Sequence, residues 1–234
     1  MMFSVFVNGQ ELVTILCTPE KLNCLVIGYL LSEGFITCLN DIAMMLIRLE
    51  ESLADVHLTR QPADIPTRRI LTSGCGNGIS FDPGTNIQLL SSRWRVSPSQ
   101  ILSSLALLHK ETQSQSETGS MRRGVHVSAL SDGNELLVRA EDIGRHNTLG
   151  KIWGECMLRK IPTEDSLLLT TGRISSGMLS KAAKMGVTMV ASLKSATDRA
   201  VKLGTILGIT IVGHARGNRF SVYCCENRLF PSGD

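Results

Sequence analysis

The sequence predicts an α/β fold, a largely parallel sheet covered by helices on both faces, with a small α+β unit in front of it. Three observations carry this. From Asn147 onward, short apolar runs alternate with segments of helical period, as strands alternate with crossover helices. Residues 1–67 read differently, as a hairpin, a helix and two more strands, closed by a proline-bearing stretch at 61–67. The whole chain, 234 residues of which 43% are hydrophobic, is large enough for one sizeable core and an appendage. The division is therefore 1–67 for the N-terminal unit and 68–234 for the α/β domain.

In order, apolar runs at 3–7 and 11–16 flank Asn8-Gly9, the strongest short-range hairpin signal. Thr18-Pro19-Glu20 reads as N-cap, first-turn proline and first-turn acid of a helix. That helix buries Leu22, Leu25, Val26, Tyr29 and Leu30 and stops at Gly34. Strands are expected at 42–49 and 55–59. Ser97-Pro98 opens a helix to about Lys110, and the Ser/Thr/Gln-rich 111–120 reads as a loop. Residues 124–130 and 135–140 form a second hairpin around Asp132-Gly133. Asn147 is the expected N-cap of a helix to about Lys160. Strands follow at 166–171, 187–192, 209–213 and 220–224, with helices at 175–185 and 196–207 between them.

Composition narrows the function classes. The net charge is only +3 and no dense Lys/Arg tract occurs, which disfavours a nucleic-acid partner. No apolar run approaches the roughly 18 residues of a membrane span, and no signal peptide is recognisable at the start. The seven cysteines are odd in number and irregularly spaced, so free thiols in a reducing cytoplasm are expected. Without a C-x-x-C pair, neither a structural zinc site nor a dithiol oxidoreductase is indicated.

Four stretches carry chemistry. Glu141-Asp142-Ile143-Gly144-Arg145-His146-Asn147 packs two carboxylates, an arginine, an imidazole and an amide into the junction of a strand and a helix. That is more than a turn requires, though a charged turn before a capped helix remains the alternative. Gly74-Cys75-Gly76-Asn77-Gly78 leaves Cys75 without bulky neighbours, as a thiol that exchanges sulfur needs. A cysteine placed by chance in a flexible turn fits the loop equally well. The other six cysteines sit in apolar runs and read as small buried hydrophobes. Beyond the strand ends lie Gly172-Arg173, then hydroxyl-rich helix starts, and finally His214-Ala215-Arg216-Gly217-Asn218-Arg219. Paired arginines flanking a tight turn suit phosphate or pyrophosphate oxygens, where a plain hairpin with solvated charges is the competing reading. His126, in a strand between Val125 and Val127, reads more readily as structural than as part of a site. Together these favour sulfur chemistry near a phosphate-rich ligand.

These motifs resemble the FdhD family, the formate dehydrogenase accessory sulfurtransferases. Besides the runs above, the likeness includes Thr18-Pro19, Ser32-Glu33-Gly34 and Gly124-Val125-His126, and the 141–147 run is its most specific part. The resemblance implies a cytidine deaminase-like three-layer α/β/α fold and a cytoplasmic homodimer. It implies a carrier that passes persulfide sulfur from a cysteine desulfurase to the molybdenum cofactor, bis(molybdopterin guanine dinucleotide), for formate dehydrogenase. A GDP-like nucleotide would mimic that cofactor. Cys75 would bear the persulfide, and His214, Ala215, Arg216, Gly217, Asn218 and Arg219 would bind the cofactor. Glu141, Asp142, Arg145, His146, Arg173 and His126 would support the site. Zinc deaminase chemistry is not implied, because His126-Val127-Ser128 lacks the glutamate of H-x-E. Many family members carry a second cysteine in the thiol loop, and Gly78 replaces it here. That substitution leaves a non-catalytic cofactor-binding chaperone as the alternative function.

Overall fold

The computed structural model describes residues 1–60, 69–71, 89–117 and 124–230. Cys75, Gly78 and the proline-bearing stretch at 61–67 lie outside the described residues.

The first sheet contains β1 (Met2–Val7), β2 (Gln10–Leu16), β3 (Ile42–Arg48), β4 (Leu53–Leu58) and β5 (Arg69–Leu71), in the order β3-β4-β1-β2-β5. Asn8 and Gly9 both take positive φ, 48° and 82°, and turn β1 back on β2 as the Asn-Gly signal requires. β1 runs parallel to β4, so the sheet is mixed. β5 follows residue 67 yet pairs with β2 in this sheet. Helix α1 (Leu22–Glu33) ends at Gly34 in left-handed backbone, as expected. Its start differs from the expectation. Lys21 occupies the cap position, and Thr18 lies outside the helix because its hydroxyl is engaged by Asp142 and Lys151. Leu25, Val26, Ile27, Leu30 and Leu31 are all buried, which leaves almost no solvent face. The reason is that α1 is sandwiched between the first sheet and a helix of the second unit.

The second sheet contains β6 (His126–Ser131), β7 (Leu136–Asp142), β8 (Leu167–Thr170), β9 (Met189–Ser192), β10 (Thr210–Arg216) and β11 (Arg219–Cys224), in the order β11-β10-β9-β8-β6-β7. Only β8, β9 and β10 run parallel. β6 lies antiparallel to β8, and hairpins add β7 and β11 at the edges, so the sheet is mixed rather than largely parallel. Helices α3 (Arg145–Arg159), α4 (Ser176–Lys184) and α5 (Asp198–Leu207) cover one face through Leu149, Ile152, Leu179, Ala182 and Leu203. Helix α2 (Pro98–Glu117) covers the other through Ile101, Leu105 and Leu108. This gives three layers. The stretch 111–117, expected as loop, continues α2; its Gln and Glu residues favour helix, and Thr112 returns its hydroxyl to the Leu108 carbonyl at 2.7 Å.

The two units meet where α1 crosses α3. A Cβ on Gly28 would stand 1.9 Å from the Gly150 oxygen, and one on Gly154 would stand 2.0 Å from the Cys24 oxygen. Only glycine lets the backbones approach so closely.

Candidate functional site

Strand direction brings five chain segments to one rim of the second sheet. β8, β9 and β10 end there, β7 ends there, and β6 begins there, with His126 paired to Asp142. This is the crevice side of a parallel array, where ligands collect beyond the carboxyl ends of strands.

The 141–147 run turns out to have two parts. Its first part is a buried fastening. Asp142 and Lys151 are both fully buried and form an ion pair at 2.6 Å. Asp142 also accepts from the Thr18 backbone N–H and hydroxyl, each at 3.1 Å, from Gly144 N–H at 2.8 Å and from Asn147 Nδ2 at 2.8 Å. Lys151 Nζ donates to Thr18 Oγ1 at 2.7 Å and to the Glu141 carbonyl at 3.0 Å. Every group in the pair is thus satisfied, which a buried charge needs. Asn147 is not the N-cap of α3. Gly144 holds that position in extended backbone, while the Asn147 amide bridges Asp142 and the Leu16 carbonyl. Glu141 is paired with Arg139. Sequence reading missed Lys151, whose place in an apolar helix face between Gly150 and Ile152 was the available signal.

The second part reaches the rim. Arg145 and His146 open α3 beside the loop 171–177 that follows β8. A Cβ on Gly172 would lie 3.1 Å from His126 Nδ1 and 3.5 Å from Arg145 Cβ, so the glycine admits both side chains. His146 Nε2 lies 3.4 Å from the hydroxyl of Ser175, which also caps α4 by accepting from Met178 N–H. Burial pushes the His146 imidazole down to about 4, with Lys181 and Arg145 adding to the effect. Burial and then Arg145 lower His126 in the same direction. Burial brings Lys181 down to about 8, and its Nζ donates to the His146 carbonyl at 3.5 Å. The histidines are therefore neutral donors and acceptors at physiological pH rather than additional charges.

Hydrogen bonds continue the rim across the sheet. Ser192 Oγ donates to the Gly172 carbonyl at 2.7 Å, Ile174 N–H to the Ser195 carbonyl at 3.0 Å, and His214 N–H to the Lys194 carbonyl at 3.0 Å. Arg173, Lys194, His214, Arg216 and Arg219 stand exposed along it. Residues 214–219 form the β10–β11 hairpin, with Arg216 opposite Arg219 and Gly217 in left-handed backbone at φ 55°. Ala215 turns its side chain into the core and can offer a ligand only backbone. The histidine–arginine cluster and the C-terminal arginine turn thus share one edge of the fold.

Among the other cysteines, Cys17, Cys24 and Cys156 are buried as expected, and burial raises Cys17 to about 11 and Cys156 to about 12. Three depart from the expectation. Cys38 is exposed, because it opens a 3-10 turn on the surface, and Cys224 and Cys225 are half-buried at the end of an edge strand. No helix among the described residues is long and apolar enough to cross a membrane.

Fold and rim define a mixed α/β protein with a basic, histidine-bearing edge at the carboxyl ends of its strands. The FdhD/NarQ family matches residues 1–230, and the chain belongs to that family. It is 38% identical over 233 residues to a sulfur carrier protein FdhD of Bacillus pumilus, covering 97% of this chain and 87% of that one. It is 37% identical over 235 residues to the protein of the same name from Staphylococcus aureus strain MRSA252, covering 98% and 87%. A crystal structure from Desulfotalea psychrophila, assigned as a formate dehydrogenase accessory protein, has the same fold. It superposes with a TM-score of 0.75 at 23% identity, covering 98% of this chain and 89% of that one.

Proposed function

We propose that this chain is a sulfur carrier whose Cys75 takes sulfane sulfur from a cysteine desulfurase and delivers it to bis(molybdopterin guanine dinucleotide) destined for formate dehydrogenase. The observation that supports this reading is the continuous basic rim in a chain whose curated relatives are named sulfur carriers. Arg216 and Arg219 suit the diphosphates of a dinucleotide, since guanidinium matches phosphate oxygens bidentately. Arg173 and Arg145 extend the same field toward His126 and His146. In the loading step the Cys75 thiolate attacks the outer sulfur of the desulfurase persulfide. One S–S bond forms on Cys75, the donor S–S bond breaks, and the desulfurase cysteine leaves as thiolate. Two copies of the chain forming a homodimer, in the cytoplasm, complete the reading.

Incubation with a cysteine desulfurase and L-cysteine, followed by peptide mass spectrometry, tests it. The expected result is an adduct of about 32 Da on the Cys75 peptide, absent from Cys75→Ala. Guanine nucleotide binding with no adduct on Cys75 would instead favour a chaperone that only binds cofactor, the reading that Gly78 keeps open.

A further inference from the structure

Arg145 stands at the rim with its charge unanswered. It is half-buried at the first position of α3, and its guanidinium has no ion pair or hydrogen bond among the described residues. Its neighbour across Gly172 is the His126 imidazole, not a carboxylate. A guanidinium that has given up part of its water without gaining an acceptor keeps its donors for an anion. Such a group serves a ligand only if its backbone is held in one place.

That hold comes from the first unit. Asp142 divides its two carboxylate oxygens between the units. Oδ2 accepts the backbone N–H and the hydroxyl of Thr18, each at 3.1 Å. Oδ1 accepts Gly144 N–H and Asn147 Nδ2, each at 2.8 Å. The Asn147 amide also donates to the carbonyl of Leu16, the last residue of β2, at 2.9 Å. That amide occupies the place where a Cβ on Gly144 would stand, 2.7 Å from Nδ2, so the turn closes only around glycine. Between the Thr18 contact and Arg145 there lie only Asp142, Ile143 and Gly144. Thr18 does not cap α1, although its chemistry suits a cap, and the Asp142 contact is the use its hydroxyl has instead.

We propose that Thr18 is a positioning residue of the rim: through the Asp142 carboxylate and the turn 142–144 it aims the Arg145 guanidinium at an anionic group of the ligand. This rests on the reading of the rim as a nucleotide-diphosphate site and makes the first unit part of that site. The hydroxyl carries the role. Lys151 Nζ donates to it at 2.7 Å, and it lies within hydrogen-bond reach of Asp142 Oδ2. Valine would fill the same space but take the acceptor from Lys151 and the donor from Asp142, both fully buried. Serine would keep both. The seam between the units and the ligand are then linked in both directions. An anion held by Arg145 steadies the Asp142 turn, and the turn steadies the seam, because coupling between two equilibria is reciprocal.

Calorimetric titration of the full chain with GDP tests this. Arg145→Ala is expected to weaken binding about ten-fold, the scale of one charge-assisted hydrogen bond. Thr18→Val should weaken it about as much, and Thr18→Ser should bind as the unaltered chain does. In an Arg145→Ala background Thr18→Val should bring no further loss, since a residue that acts through another is silent once the other is gone. Gly154→Ala strains the same seam a helical turn further along α3 and should leave GDP affinity unchanged. If Thr18→Val does not fold, the unaltered chain still decides: saturating GDP should slow amide exchange in the peptide that holds Thr18. Full affinity in Thr18→Val, additive losses in the double variant, an equal loss in Gly154→Ala, or unslowed exchange at Thr18 would each overturn the positioning role and leave the rim reading standing. No GDP binding by the unaltered chain would overturn the rim reading itself, and the positioning role with it.

Discussion

Lys151 shows how a single side chain can matter without touching a substrate. Its ammonium and the Asp142 carboxylate are fully buried, and Thr18 completes their coordination from the other unit. Removing one partner strands a charge in the interior. Lys151→Met is therefore expected to cost about 3–5 kcal/mol in denaturant unfolding, and the double variant with Asp142→Asn less than the sum of the single changes. His146 gives a pH signature. Its imidazole is held neutral, down from the ordinary 6.5 to about 4, so the unfolded state binds the extra proton first. Its contribution to stability is full above pH 6.5 and is lost as pH falls toward 4. Replacing His146 with Gln should flatten the unfolding free energy across that window; an unchanged slope would contradict the neutral, buried imidazole.

Among elements, the α1–α3 crossing carries the most specific geometry. Alanine at position 28 improves helix propensity by up to about 1 kcal/mol. Against that, its Cβ would stand 1.9 Å from the Gly150 oxygen, so the helices must separate. Overpacking of this kind costs about 1–3 kcal/mol and the clash here is with backbone, which cannot swing aside. Gly28→Ala should lower stability on balance, and it should do so together with faster amide exchange in both α1 and α3. The helices themselves were readable from period and end signals, as the stop of α1 at Gly34 shows. Their first residues were less so. Thr18 and Asn147 have the chemistry of caps, but tertiary partners claim both side chains, and Lys21 and Gly144 take the cap positions.

On the scale of the whole molecule, the rim exists only because five strand termini converge. Arg173, Lys194 and Arg216 are far apart in the chain and become neighbours through the parallel order β8-β9-β10. If that rim binds the nucleotide end of a cofactor, Arg216→Ala should weaken GDP binding by about 1–3 kcal/mol in calorimetry. An equal loss on Arg48→Ala, in the first sheet, would point to general charge attraction instead. Affinity should also fall as salt rises, since the arginines are exposed and screened.

The sequence by itself determined the alternation of strands and helices, the Asn8-Gly9 turn, the stop at Gly34 and the rim motifs at 141–147 and 214–219. All of these rest on backbone preferences and side-chain chemistry within a few residues of one another. The tertiary structure alone decided which groups in those motifs are fastenings and which face solvent. Thr18 and Asp142 are 124 residues apart, and no local pattern states that they meet. Only the closed chain, with α1 laid across α3, excludes water from that pair and leaves Arg145 and His146 at the rim.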